Sequence, residues 1–364
     1  VVSVDIPSGI DANTGKQWGC SVKADFTATY GWAKPGHFIN GKLSRSGKVS
    51  IIDIGIPPQT LDRVDVPAEL NSLERLLPRM QPLQRQGAGH KGSHGHLMVL
   101  AGSIGKTGAA ILAARGALRS GVGLISLAAP LDLNPVFENA LVEAMTLPLP
   151  NSKGTLSIDD WDTIAESAST MQAVVIGPGI GTSVETAELV LQVYHSLPCP
   201  VVLDADALNI LAANNDRVGE AAGPRIFTPH PGELSRLLEI STADIQNNRI
   251  EAAREGCNLF ASSLHNSVLI LKGAGTIIAQ EDGSILLNSS GNPGMGTGGM
   301  GDILSGVIGA LICQGMVAGD AASVGVYVHG AAADTLFDEY GPGFSASEVA
   351  ENIPVVLKKI MDEL

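Results

Sequence analysis

Charge is scarce in this chain: of its 364 residues only 16% are Asp, Glu, Lys or Arg, and aromatic residues contribute only 4%. With 45% of the residues hydrophobic, that shortage excludes a long disordered chain and requires a buried core. Basic residues are the scarcer kind, 23 Lys and Arg against 37 Asp and Glu, for a net charge of −14. A surface of that sign disfavours non-specific binding to nucleic acid or to an anionic membrane. It does not disfavour a phosphorylated small ligand, because local backbone N–H groups can outweigh global charge. The four cysteines, Cys20, Cys199, Cys257 and Cys313, form no CxxC pair. Free thiols in a reducing, cytoplasmic setting are expected. Long apolar runs are also missing. A long uncharged and apolar stretch, residues 303–319, is short for a membrane span and holds Gln314 and four glycines, so it is expected as a buried helix. No secretory signal is expected within these residues, although one could have been lost with a missing N-terminus. The chain opens Val1-Val2-Ser3-Val4-Asp5, without Met and inside a strand pattern, so a truncated N-terminus is expected. Nothing in the sequence fixes an oligomeric state, and a homo-oligomer is compatible with it.

What is present is a rhythm. Short apolar runs at 97–101, 124–129, 173–176, 201–203, 225–228 and 268–271 alternate with helical stretches, and several end in polar or glycine-rich turns. Continuous apolar strands of this kind predict a parallel sheet covered on both faces. In open α/β sheets the ligand binds beyond the carboxyl ends of the strands, so these turns are expected to converge on one cleft. Two runs flank Asp282-Gly283, a hairpin signal, and Ser345 with Glu348 forms a capping box before the last helix. Strands are expected at 1–6 and 49–54. The Pro- and Gln-rich stretch after Asp62 is expected to be a linker with one short helix. The expected organisation is therefore residues 1–65, a linker at 66–89, and a main domain at 90–364.

The strongest chemical signal is residues 291–302, with six glycines in twelve positions running into an apolar helix. Such a loop turns successive N–H groups toward one point, and the helix start adds more, which suits a phosphate or a developing anion. The candidate anion hole is Gly296, Gly298, Gly299 and Gly301. The loop contains GxGxxG twice, but the Rossmann fingerprint opens a first βα unit, and this one lies near the chain's end. Asp302 sits where a carboxylate would repel a passively bound phosphate. As a helix cap it would be ordinary; as a general base beside a phosphoryl group it could take the proton of an attacking hydroxyl. Gly105-Lys106-Thr107 fails as a P-loop, since Leu100 stands where the first glycine belongs. His90, His94 and His96 are more often loop histidines than metal ligands. His230 lies between two prolines at a strand end and reads as substrate contact ahead of structural turn. Asp204 and Asp206 could meet Mg²⁺ through water or cap a helix, with neither favoured.

Taken together these segments resemble the YjeF family, in particular its ADP-dependent NAD(P)H-hydrate dehydratases. The matching motifs are Lys91-Gly92-Ser93-His94-Gly95, Gly177-Pro178-Gly179-Ile180-Gly181, Leu203-Asp204-Ala205-Asp206, Thr228-Pro229-His230-Pro231-Gly232-Glu233, Lys272-Gly273-Ala274-Gly275-Thr276 and Gly296-Thr297-Gly298-Gly299-Met300-Gly301-Asp302. Residues 4–15 and 31–36 are similar to the tail of the family's other half, an NAD(P)H-hydrate epimerase. The resemblance implies a ribokinase-like parallel-sheet sandwich preceded by a Rossmann-like epimerase remnant. It implies that (S)-hydrates of NADH or NADPH are returned to the cofactor while ADP is consumed to AMP and phosphate, with Mg²⁺ assisting. Lys272, Gly273, Ala274, Gly275, Thr276 and Gly301 would hold the adenine nucleotide. Ala109, Gly179, His230 and Asp302 would contact the hydrate. In the remnant, Asp5 would contact the hydrate and Ser8 would help bind K⁺. Only the last part of the epimerase half is recognised, so the chain is expected to dehydrate without epimerising. The alternatives are a small-molecule kinase of the same superfamily acting on a vitamin-precursor alcohol, and a catalytically inactive nucleotide sensor.

Overall fold

The structure, a computed structural model, describes residues 1–41, 44–64, 66–84, 91–261 and 267–363. In the N-terminal part, β1 (Val2–Val4), β2 (Phe26–Tyr30) and β3 (Lys48–Ile52) pair in parallel in the order β1-β2-β3. The first strand is shorter than expected, because Asp5 adopts a φ of 64° and turns the chain out of the sheet.

The rest is built on ten strands: β4 (Glu69–Asn71), β5 (His96–Leu100), β6 (Leu124–Pro130), β7 (Met145–Leu149), β8 (Ala173–Ile176), β9 (Val201–Leu203), β10 (Arg225–Phe227), β11 (Val268–Leu271), β12 (Ile277–Gln280) and β13 (Ile285–Asn288). Their order is β4-β13-β12-β11-β10-β9-β8-β5-β6-β7. Only β12 runs against the others, through the hairpin at Asp282-Gly283. Because successive strand residues point to opposite faces, the apolar runs feed two cores. Leu97, Val99, Val175 and Ile270 meet the helices Thr107–Arg119, Met300–Cys313, Ala318–Tyr340 and Ala346–Met361. Met98, Leu100, Ile176 and Leu271 meet Val184–Ser196, Asp206–Ala213, Pro231–Leu238 and Arg249–Leu259. This is the expected α/β sandwich with the sheet buried on both sides. Among the described residues no helix is long and apolar enough to cross a membrane.

Two glycines fix where the glycine-rich loop enters its helix. A Cβ on Gly306 would lie 1.9 Å from the Ala113 carbonyl oxygen, and one on Gly116 would lie 2.4 Å from that of Ile303. The helices Thr107–Arg119 and Met300–Cys313 can approach this closely only because neither position carries a side chain.

The expected linker at 66–89 is corrected by the structure. Residues 69–71 pair in parallel with β13 and extend the sheet, and Leu76 and Met80 are fully buried in its core. Residues 85–90 lie outside the described residues, and His90 with them. His96 sits on β5 with Nε2 2.9 Å from the Ser126 hydroxyl, so it is tied into the sheet. No group of three or more His, Cys, Asp or Glu among the described residues is placed to hold a metal.

Candidate active site

The strand ends converge as the sequence pattern requires. At the end of β9 the chain turns through Ala205 at φ 49°, a strained conformation for a residue with a side chain. The two aspartates flanking that turn diverge. Asp204 is 1% exposed; its Oδ1 accepts from Lys272 Nζ at 2.7 Å and from the Thr228 hydroxyl at 2.7 Å. Its Oδ2 is buried without a hydrogen-bond partner. Asp206 accepts from the Gly181 amide and from Lys106 Nζ, both at 2.9 Å. Neither aspartate caps a helix with its side chain.

Lys272 leaves the end of β11 and organises this group. Its ammonium also lies 3.9 Å from Glu233 Oε2. Burial opposes the charge, but Asp204 and Glu233 outweigh it and raise its pKa. Beneath the 272–276 loop lies Arg249, 3% exposed, donating to the carbonyls of Leu271 and Lys272 at 3.4 Å each and of Gly275 at 3.3 Å. It braces the loop and adds positive potential there.

Asp302 lies in the first turn of the helix Met300–Cys313, whose N-terminus no side chain caps. A Cβ on the adjoining Gly301 would fall 3.1 Å from Lys272 Nζ, so the helix start faces the ion pair. Burial pushes the Asp302 carboxyl up to about 7; Asp204 and Asp206 add to this and Lys272 opposes it. Asp302 thus adjoins one group of residues through Gly301 and feels the charge of a second through Asp206. On one side, Lys272, Gly273, Ala274, Gly275, Thr276, Gly296 and Gly301 line a cavity of about 310 Å³, with Asn288 to Pro293 and His329. On the other, Asp206 and Lys106 lead to Gly179, where an added Cβ would lie 3.0 Å from Ala109 Cβ. Gly298 and Gly299 belong to the loop, with Gly299 at the N-cap in a left-handed conformation.

His230 is refined by the structure. It is the N-cap of Pro231–Leu238: Nδ1 accepts from the amides of Gly232 at 2.9 Å and Glu233 at 3.3 Å, while Glu233 Oε2 accepts from the His230 amide. Only Nε2, on a half-exposed ring, remains for a ligand, 3.4 Å from Glu233 Oε1. The structural-turn reading is met by Nδ1, and a substrate contact would have to use Nε2. Asp5 and Ser8 do not join this cluster. Asp5 is held by Lys34, Thr29 and the Tyr30 amide, and Ser8 is exposed.

Three groups were not singled out in the sequence. Glu233, though inside a quoted motif, is buried and pushed up to about 7 by that burial. Arg249 and His329 belong to no motif. His329 is 5% exposed on the cavity wall, its Nε2 has no hydrogen-bond partner, and burial with Lys272 nearby lowers its pKa to about 4.

Known proteins are similar to this chain over most of its length. The family described as NAD(P)H-hydrate dehydratase matches residues 97–355, and that described as YjeF-related protein N-terminus matches residues 1–36. A Moorella thermoacetica protein named a bifunctional NAD(P)H-hydrate repair enzyme is 37% identical over all of this chain and 68% of its own length. An Escherichia coli protein of the same name is 35% identical over all of this chain and 67% of its own. Among solved structures, an ADP/ATP-dependent NAD(P)H-hydrate dehydratase from Bacillus subtilis, co-crystallised with ATP and Mg²⁺, superposes with a TM-score of 0.69 at 31% identity, covering 80% of this chain and 99% of that one. A ribokinase-like protein from Enterococcus faecalis, at 21% identity and a TM-score of 0.68, shows the same fold, covering 82% of this chain and 98% of that one.

Proposed function

The chain belongs to the NAD(P)H-hydrate dehydratase family, and we propose that it removes the elements of water from (S)-NAD(P)H-hydrate with ADP as phosphoryl donor, giving NAD(P)H, AMP and phosphate. The observation that carries this is Asp302: a partly buried carboxyl whose pKa is pushed up to about 7, at an uncapped helix start, adjoining Gly301 of the cavity and within electrostatic reach of Asp206.

Hydroxide is a poor leaving group, so the hydrate's hydroxyl has to be activated. Asp302 takes the hydroxyl proton and the oxygen attacks the terminal phosphorus of ADP, releasing AMP. The N–H groups of Gly298, Gly299 and Gly301 hold the transferring phosphoryl oxygens; Gly296, expected in the anion hole, instead donates its amide to the Pro293 carbonyl at 3.2 Å. The lone pair of the ring nitrogen then expels phosphate, and the departing phosphate takes a proton from the adjacent ring carbon, which restores the dihydropyridine. Lys272, Gly273, Ala274, Gly275 and Thr276 bind the nucleotide, and Ala109, Gly179 and His230 bind the hydrate. His329 Nε2, unpartnered on the cavity wall, is suited to a hydrogen bond with the nucleotide.

The residues fit Mg²⁺ in one way. No group of three protein ligands is placed for it among the described residues, but Asp204 Oδ2 is a buried carboxylate oxygen without a partner. Asp204 would be the residue to hold the ion, which would offset phosphate charge. For K⁺, Ser8 supplies an exposed hydroxyl and a carbonyl that already accepts from the Val22 amide. That alone is not a potassium cage. Residues 1–65 are assigned to the epimerase-type part with Asp5 as its hydrate contact. The dehydratase part is assigned from residue 69, where β4 joins the sheet. The four free thiols suit a reducing, cytoplasmic compartment.

Incubation of the chain with ADP and hydrate, followed by phosphorus NMR, separates this from the kinase reading. Inorganic phosphate and regained dihydronicotinamide absorbance are expected; an accumulating phosphate ester would overturn the proposal. Two further results are expected. Because Asp302 has to be ionised to act as a base, kcat should fall as pH drops through about 7. Glu233→Gln should retain that limb and Asp302→Asn should lose it; a limb that survives in Asp302→Asn assigns it elsewhere. Second, His230→Ala should raise the hydrate KM and cost about 1 kcal/mol of stability through the lost cap. His230→Asn keeps a capping side chain, so it should restore the stability and not the hydrate KM. Recovery of both, or a loss confined to ADP, would make His230 a cap alone or a nucleotide ligand.

A further inference from the structure

The nucleotide cavity has one wall that does not come from the dehydratase part. Gly41 lines it beside Gly273, Ala274, Gly275 and Thr276. The approach is close: a Cβ on Gly41, which has φ 52°, would lie 2.8 Å from the Gly275 nitrogen. In the other direction, a Cβ on Gly275, at φ 64°, would lie 2.3 Å from the Ile39 carbonyl oxygen and 2.9 Å from that of Phe38. Both positions exclude a side chain for the same reason, that two backbones run against each other there. Ile39 anchors the contact: it is 1% exposed and belongs to the same buried cluster as Leu271 and Ile277, which flank the nucleotide loop.

The segment is also well braced behind. Its turn is closed by hydrogen bonds from the amides of Phe38 and Ile39 to the Pro35 carbonyl and of Gly41 to that of Phe38. The Gly36 amide donates to the Ala12 carbonyl at 2.7 Å, and Asn40 Nδ2 donates to that of Gly15. His37, 2% exposed, places Nε2 2.9 Å from the Asp5 carbonyl oxygen. A continuous run of contacts therefore leads from Asp5 through His37 and Ile39 to Gly275.

We propose that residues 38–41 of the N-terminal part are a structural component of the adenine-nucleotide site, and that their packing on Gly275 sets nucleotide affinity. This rests on the assignment of ADP to that cavity. The loop at 272–276 can present its N–H groups to a nucleotide only in the conformation that the 38–41 backbone and Arg249 hold from two sides. A segment that stabilises the binding-competent loop raises affinity, and by linkage the nucleotide stabilises the segment.

Two measurements test this on the full chain. The first is hydrogen exchange of the wild-type protein with and without ADP. The amides of residues 38–41 should exchange more slowly in the presence of ADP, along with those of 272–276. The second is Gly41→Val, which drives a side chain into Gly275. The ADP KM should rise on the order of tenfold, about 1.4 kcal/mol, while kcat at saturating ADP and the hydrate KM hold. Gly41→Ala should give a smaller shift of the same kind if the valine variant does not fold. Calorimetry of the wild type with ADP separates the two readings. Absence of ADP binding defeats the nucleotide assignment itself. ADP binding with unchanged exchange at 38–41, or with an unchanged KM in a folded Gly41 variant, defeats only the proposal that this segment belongs to the site.

Discussion

Asp302→Asn is expected to lower kcat by roughly 10²–10⁴-fold, the range of a lost general base, while ADP binds as well as before or better. The two halves of this result have one cause. The Asp302 carboxyl is held near neutrality by burial and by the negative charge of Asp204 and Asp206, so it is poised to accept a proton at working pH. The same charge opposes a bound diphosphate, and the amide removes that repulsion. A purely structural aspartate would give the reverse pattern, with reduced stability and little change in turnover per folded molecule. Steady-state kinetics with ADP calorimetry on the purified variant distinguishes them, and near-normal turnover would refute the role.

Lys272→Met should be more damaging to the fold than to any single step. The ammonium lies 2.7 Å from one buried carboxylate and 3.9 Å from another. Removing one partner of a buried ion pair costs about 3–5 kcal/mol, because the remaining charge stays buried. ADP binding should be lost with it. The pH dependence is a further check. Burial has already raised Glu233 and Asp302 to about 7, and without Lys272 they take up protons more readily still. Groups whose folded-state pKa is raised destabilise the fold as pH rises through that pKa, so the deficit of the variant should narrow as pH falls toward about 7. Denaturant titrations of both proteins across that range measure it; a deficit that widens toward acid would show that Lys272 is not the counter-charge.

The main sheet was legible in the sequence because parallel strands buried on both faces leave continuous apolar runs, and those of β5, β8, β9 and β11 are unbroken. The glycine-rich loop and Asp302 were legible because glycine spacing and a helix start have local signatures. What failed to show was non-local or very short. β4 has three residues and no periodicity to detect, so the stretch after Asp62 reads as a linker until Glu69–Asn71 is seen beside β13. The pairing of Lys272 with Asp204 spans 68 residues, so no local pattern around either residue announces it. Arg249 opens a polar helix, where burial has no sequence mark, and His329 sits in a helix of small residues. His230 carried a signal that could have been used: Pro231 follows it at the first helical position, and Glu233 at the third completes a capping box with His230 itself. The meeting of Gly41 with Gly275 could not have been found from either glycine alone.

The account turns on the hydroxyl oxygen of the hydrate becoming an oxygen of phosphate. Hydrate carrying heavy oxygen in that hydroxyl, turned over with unlabelled ADP in ordinary water, should give inorganic phosphate containing one labelled oxygen per molecule of NAD(P)H regained, with AMP unlabelled. Label found in water with unlabelled phosphate would mean that ADP is hydrolysed separately from dehydration, and would contradict phosphoryl transfer to the hydrate as the chemistry of this site.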